Sequence, residues 1–275
     1  MRRLFALTVL FACLTPLPSP VQAAAAPVTT VAGQEQVSQL MDKSGLRAAL
    51  RNFSAYVGQS LRNPDQPGVS PELARRMAAK VDIAFAPGFL DQAVKDDLAA
   101  RLSADDVRRL LAWHDTALGA RVTALEITSS DRLSTVILPP AAPPVVSAAR
   151  QKLLDRVMKA TNAAEMLVDV QIQVMTAMFR GMASTAAMSG NNVDIAPILK
   201  EMSDRRAELL AQVKPETMDE LRTTYAPLSD ADLKQYVVFL ESPLGRKFNR
   251  AVVKSLQSAL TESGDTFGQL LLGSP

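Results

Sequence analysis

Four groups of residues have types and spacings able to do chemistry. The first is FLESPLGRKF, residues 239 to 248, where a serine, a proline, a glycine and two adjacent cations stand inside a helical pattern. Free N–H groups and partial positive charge at a helix start can hold phosphate or carboxylate, so Ser242, Gly245, Arg246 and Lys247 form a candidate anion site. Cations at that end oppose the helix dipole, and a bound anion would reconcile them. The same residues read equally as a joint. Ser242 caps, Pro243 opens the next helix at its first position, and Gly245 permits a close approach. The joint is the primary reading and the anion site the secondary one.

The second group is the methionines. Met158, Met166, Met175, Met178, Met182, Met188 and Met202 crowd one segment, and Met175, Met178 and Met182 fall at i, i+3, i+7 on one helix face. Thioethers pack adaptably, line apolar grooves for lipid, peptide or a partner helix, and ligate cuprous ion. No His or Cys accompanies these, so packing is expected and the groove is the alternative. The third group is His114, the single histidine. A Ser-His-Asp arrangement would rest on it alone, and a zinc site would need carboxylates almost throughout. Its neighbour Asp115 points about 100° away on a helix. It is expected to be a partly exposed residue beside the core candidate Trp113. The fourth group, Asp96-Asp97 and Asp105-Asp106, reads as solvated helix starts rather than a hydrolase pair. No catalytic residue, metal site or cofactor is assigned, and the chain is expected not to be an enzyme.

The elements that carry these residues are helices. Apolar residues recur at three- and four-residue spacings, no segment reads as a strand, and the fold class is all-α. The spacing predicts helices over 34–62, 71–86, 88–101, 104–115 and 117–135, then 147–188, 195–213, 216–225, 230–241 and 243–262. ILPPAAPPVV, residues 137–146, cannot continue a helix and reads as a stiff connector. Two tandem units of about five helices each follow: 24–136, a linker over 137–146, and 147–263, with 264–275 as a tail.

The start of the chain has the layout of a secretory signal peptide. Arg2 and Arg3 precede an apolar run from Leu4 to Leu14, and a proline-rich stretch closes on Val21-Gln22-Ala23. Cleavage is expected after Ala23. The run is too short to span a bilayer, which needs roughly 20 residues. Cys13 could instead close a lipoprotein box, although Phe11 suits one poorly. The mature chain is therefore expected in the periplasm with no transmembrane anchor. It has no cysteine for disulfides. Losing Arg2 and Arg3 leaves 28 cations against 28 acids, a balance that gives no reason to invoke nucleic acid. The expected partner is an envelope protein or an apolar ligand.

The halves resemble each other. LSADDVRRLLAWHDTALGARV from Leu102 aligns without gaps onto LSDADLKQYVVFLESPLGRKF from Leu228. Ser103 matches Ser229, Asp106 matches Asp232, Trp113 matches Phe239, and Gly119 matches Gly245. LMDK from Leu40 resembles LLDR from Leu153 at a shorter offset. Ser103 with Asp106, and Ser229 with Asp232, each predict a capping box.

The second of these segments resembles the core motif of the bacterial envelope family called domain of unknown function 2059. Its members carry an acidic-capped helix, an aromatic residue, then Ser-Pro-x-Gly-x-Lys. The resemblance covers residues 205–260 and, more weakly, 80–126, where Thr116-Ala117 replaces Ser-Pro and Ala120 replaces a cation. It implies export and a helical fold, and no established reaction or catalytic residues.

Overall fold

The computed structural model describes residues 32–61, 71–135, 142–188 and 194–272. The leader with its cleavage position, Cys13, and residues 137–141 of the connector lie outside these. Twelve helices are described and, among the described residues, no strand. Six precede the prolines: α1 (Gln34–Lys43), α2 (Leu46–Leu61), α3 (Pro71–Ala84), α4 (Pro87–Arg101), α5 (Ala104–His114) and α6 (Ala117–Thr135). Six follow: α7 (Ala148–Thr161), α8 (Ala163–Met188), α9 (Ala196–Asp204), α10 (Arg206–Thr224), α11 (Asp230–Leu240) and α12 (Pro243–Leu272).

Each side has one helix more than the expected five: the predicted helix 34–62 is split once, 147–188 and 195–213 are each split, the latter at Arg205, and 216–225 joins the helix before it. Gly45, at φ 75°, separates α1 from α2, and Asn162, at φ 52°, separates α7 from α8. Both residue types enter the left-handed region with little penalty. Pro215, expected to end a helix, instead lies within α10. Ala211, whose carbonyl loses its N–H partner there, sits on the exposed side and can turn to water. The expected tail is also helical. Leu256, Leu260, Ser263 and Phe267 keep the helical spacing, and Phe267 is fully buried against the Phe85 ring at 6.3 Å.

Local signals set the ends. Ser103 forms a complete capping box with Asp106. Ser229 accepts from the Asp232 N–H, while the Asp232 carboxylate pairs with Arg121 at 3.6 Å, so that box is half made.

The prolines divide the sequence but not the core. One apolar cluster joins Val37, Leu40, Leu90, Leu98 and Leu110 to Ala259, Leu260 and Phe267 of α12. The other joins Val122 of α6 to Leu154, Val157, Tyr236 and Leu240. Helix α12 packs along α8, α4 and α3, and α6 packs on α2, α10 and α11. Each half therefore lends its last helix to a core built largely by the other.

Candidate functional site

At the corner between α11 and α12 the serine and glycine act on the backbone. Ser242 donates to the Phe239 carbonyl at 2.6 Å and accepts from the Gly245 N–H at 3.0 Å. A Cβ on Gly245 would stand 2.1 Å from the Phe239 carbonyl oxygen, so no side chain fits. The corner between α5 and α6 repeats this. Thr116 donates to the Trp113 carbonyl at 2.7 Å and accepts from the Gly119 N–H at 3.0 Å, and a Cβ on Gly119 would stand 2.2 Å from the Trp113 carbonyl oxygen.

The corner cations already have partners. Arg246 donates to the Glu241 carbonyl and Lys247 pairs with Asp106. Burial works to raise the Asp106 carboxyl, but Lys247 and Ser103 outweigh it and hold it below the usual carboxylate range. The paired acids divide in the same way. Asp105 meets Arg108 in the first turn of α5, as a helix start should. Asp97, in contrast, lies within α4 and accepts from Arg101 and from the buried Ser255 of α12, so it is a packing contact between helices rather than a solvated start.

His114 is buried, not partly exposed as expected, because α5 ends against α1 and α12. Its ring meets Trp113 edge-on at 4.8 Å and Phe248 at 6.2 Å. Nδ1 lies 3.2 Å from the Thr123 hydroxyl, and Nε2 has no partner among the described residues. Burial lowers its pKa to about 4; Asp115 opposes this and Lys43 adds to it.

Next to this histidine lies a pocket to which the sequence motifs contribute only Phe248. It has a volume of about 190 Å³ and is lined by Ser44, Gly45, Leu46 and Ala49 at the α1–α2 break, Glu126, Ile127 and Ser130 on α6, and Phe248 and Val252 on α12. Apart from the two hydroxyls, Glu126 is its one polar side chain. Both Tyr225 and Tyr236 donate to Glu126 Oε1 at 2.7 Å, and Oε2 takes no bond from a described residue. Burial raises the Glu126 carboxyl above its ordinary value, and the two phenols only partly oppose this. Burial also pushes both phenols well above theirs, with the nearby Glu126 charge adding to it. The arrangement is a fixed acceptor at the edge of an apolar hollow. One turn along α6, Ser129 and Arg132 close off a second acid, Glu220 of α10, which also accepts from Thr224.

A wider groove of about 770 Å³ runs along α12 past Arg101, Lys254, Glu262 and Asp265, and is polar and of mixed charge. Met175 is exposed on α8, and the side chains of Met178 and Met182 lie outside the described residues, so the methionine groove is not assembled from what is described. Among the described residues no three acidic, His or Cys side chains converge as metal ligands would, and no helix is long and apolar enough to cross a membrane.

Compared with known protein families, curated proteins and solved structures, the chain matches none. The sequence signal for the pocket was present but small. Glu126 stands between Val122 and Ser129 at i+4 and i+7, an acid on the buried stripe of α6.

Proposed function

We propose that this chain is an exported, non-enzymatic binding protein of the bacterial envelope, built from two related helical units and akin to the unknown-function family it resembles. The pocket takes a small ligand with an apolar body and a single amine head. The observation that carries this is Glu126: a carboxyl fixed by two phenols on one oxygen, with the other oxygen open, at the edge of an apolar hollow. About 190 Å³ holds roughly six water-sized groups, which suits a short chain rather than a phospholipid. An amine head would draw Glu126 into its charged form and pair with it in a site of low polarity. The pocket hydroxyls favour binding over chemistry, since Ser44 lies 3.5 Å from the Met41 carbonyl and Ser130 accepts from Asn52.

Calorimetric titration with n-hexylamine, n-hexanol and hexanoate tests the reading. Hexylamine binds most tightly, hexanol more weakly and hexanoate not at all. Glu126→Gln removes the preference for the amine. Ala49→Phe, at an exposed lining position, blocks all three. Equal binding of hexanoate, or none by hexylamine, refutes the proposal. A second reading, an apolar docking face on α8, is favoured by the exposed Leu167 and Met175 eight residues apart on one stripe.

A further inference from the structure

The residues that match between the two halves also touch each other, and they do so reciprocally. Trp113 and Phe239, which occupy the same aligned position, stack face to face with ring centroids 3.7 Å apart and planes 10° from parallel. Asp106 of the first half pairs with Lys247 of the second. Their aligned counterparts, Asp232 and Arg121, pair in the opposite sense at 3.6 Å. A contact from position i to position j that recurs from j to i, about a central self-contact, is the mark of an isologous interface with two-fold symmetry. Each corner is braced alike within its own half. Lys43 of α1 pairs with Asp115, and Arg156 of α7 pairs with Glu241, where LMDK and LLDR occupy matching places.

We propose that the α5–α6 and α11–α12 corners are two copies of one self-association surface, which this chain closes within itself. The partner that the surface fits is a second copy of the same corner. Cations at a helix start, which oppose the dipole of their own helix, are accounted for by the acid that the opposite copy presents. The aromatic pair supplies the apolar centre, and the two ion pairs set the orientation around it. This inference needs the halves to be related units but not the pocket, and hexylamine titration of the parent reads the pocket separately.

Two full-length variants test it. One carries Asp106→Lys and Asp232→Lys, the other Arg121→Asp and Lys247→Asp. In each alone, both pairs of the joint face like charges, and melting should fall by about 5 °C or more. Refolded together, the first half of one chain meets the second half of the other with opposite charges at both pairs. The expected product is a one-to-one heterodimer in native mass spectrometry with its melting point recovered. All four substitutions in one chain should restore the monomer above the chain with Asp106→Lys and Asp232→Lys. Those two share the same loss of helix caps, so the difference reads the joint. The proposal is overturned if either double variant melts like the parent, if the fourfold exchange recovers nothing, or if the mixture yields no heterodimer.

Discussion

Replacing His114 with phenylalanine isolates what its burial does to acid stability. The ring sits among Trp113, Phe248 and Thr123 with Nε2 unpartnered, so phenylalanine keeps the shape and removes an orphaned nitrogen. Thr123 loses a partner, and at pH 7 the two effects leave stability within about 1 kcal/mol of the parent. The difference lies in the pH dependence. The folded-state pKa is lowered to about 4 from an unfolded value near 6.5, so between those values the unfolded chain binds more protons. His114 therefore makes stability fall as pH drops through that window. The full gap corresponds to about 3 kcal/mol, of which about 2 kcal/mol is lost between pH 7 and 4.5. Lys43 and Asp115, the charges facing the ring, are paired with each other and are retained in the variant.

Urea unfolding followed by circular dichroism at several pH values measures this, and the parent-minus-variant difference cancels every carboxylate common to both chains. The parent should lose about 2 kcal/mol relative to His114→Phe over the window. A difference that stays constant from pH 7 to 4.5 would refute the assignment of a neutral, desolvated imidazole.

Two further predictions concern the corners and the pocket. Gly119→Ala and Gly245→Ala should each cost about 2 to 4 kcal/mol, because the new Cβ meets backbone that can retreat only by parting two helices. Gly268→Ala, with nothing within 4 Å of its Cβ, should instead stabilise α12 by up to about 1 kcal/mol; equal melting points for all three variants would falsify the close-approach argument. Glu126→Gln should change the pH profile in the sense opposite to His114→Phe. The Glu126 carboxyl is raised by burial, so the parent loses stability as pH rises from the ordinary glutamate value through the folded one, and the amide abolishes that loss. A denaturation series from pH 4 to 8 in which parent and amide run parallel would count against it.

What the sequence disclosed was what short segments decide for themselves. Ser103 and Ser229 cap the helices they precede, and the Ser-Pro-x-Gly corner is recognisable because all its hydrogen bonds fall within seven residues. The breaks at Gly45 and Asn162 are not legible because a single permissive residue inside a periodic stretch does not reveal whether the chain will use it. The burial of His114 and the role of Glu126 are not legible for a different reason. Their environments come from distant parts of the chain: Tyr225 and Tyr236 reach Glu126 across 99 and 110 residues, and Phe248 meets His114 from the second half. Periodicity places a residue on a face of its own helix and says nothing about which helix will cover that face.

The pocket and the joint are built from the same exchange of helices. Leu46 and Ala49 of α2 and Glu126 of α6 belong to the first half, while Phe248 and Val252 belong to α12 of the second. Both phenols that hold Glu126 also come from the second half. The pocket exists only while the halves are closed on one another. A ligand that binds it therefore binds the closed form and not the open one, and mass action adds RT ln(1 + [L]/Kd) to the free energy of closure. Linkage requires the reverse as well: whatever loosens the joint at Asp106–Lys247 or Arg121–Asp232 must lower the apparent affinity of the pocket by the fraction of chains left open. Reversing the charge at Lys247 lies outside the pocket lining, yet in urea close to the unfolding midpoint, where the open fraction is substantial, it should weaken hexylamine binding, and the matching reversal at Asp106 should restore it. A pocket indifferent to those substitutions would be one that the first half builds alone, contrary to the placement of Tyr225, Tyr236 and Phe248.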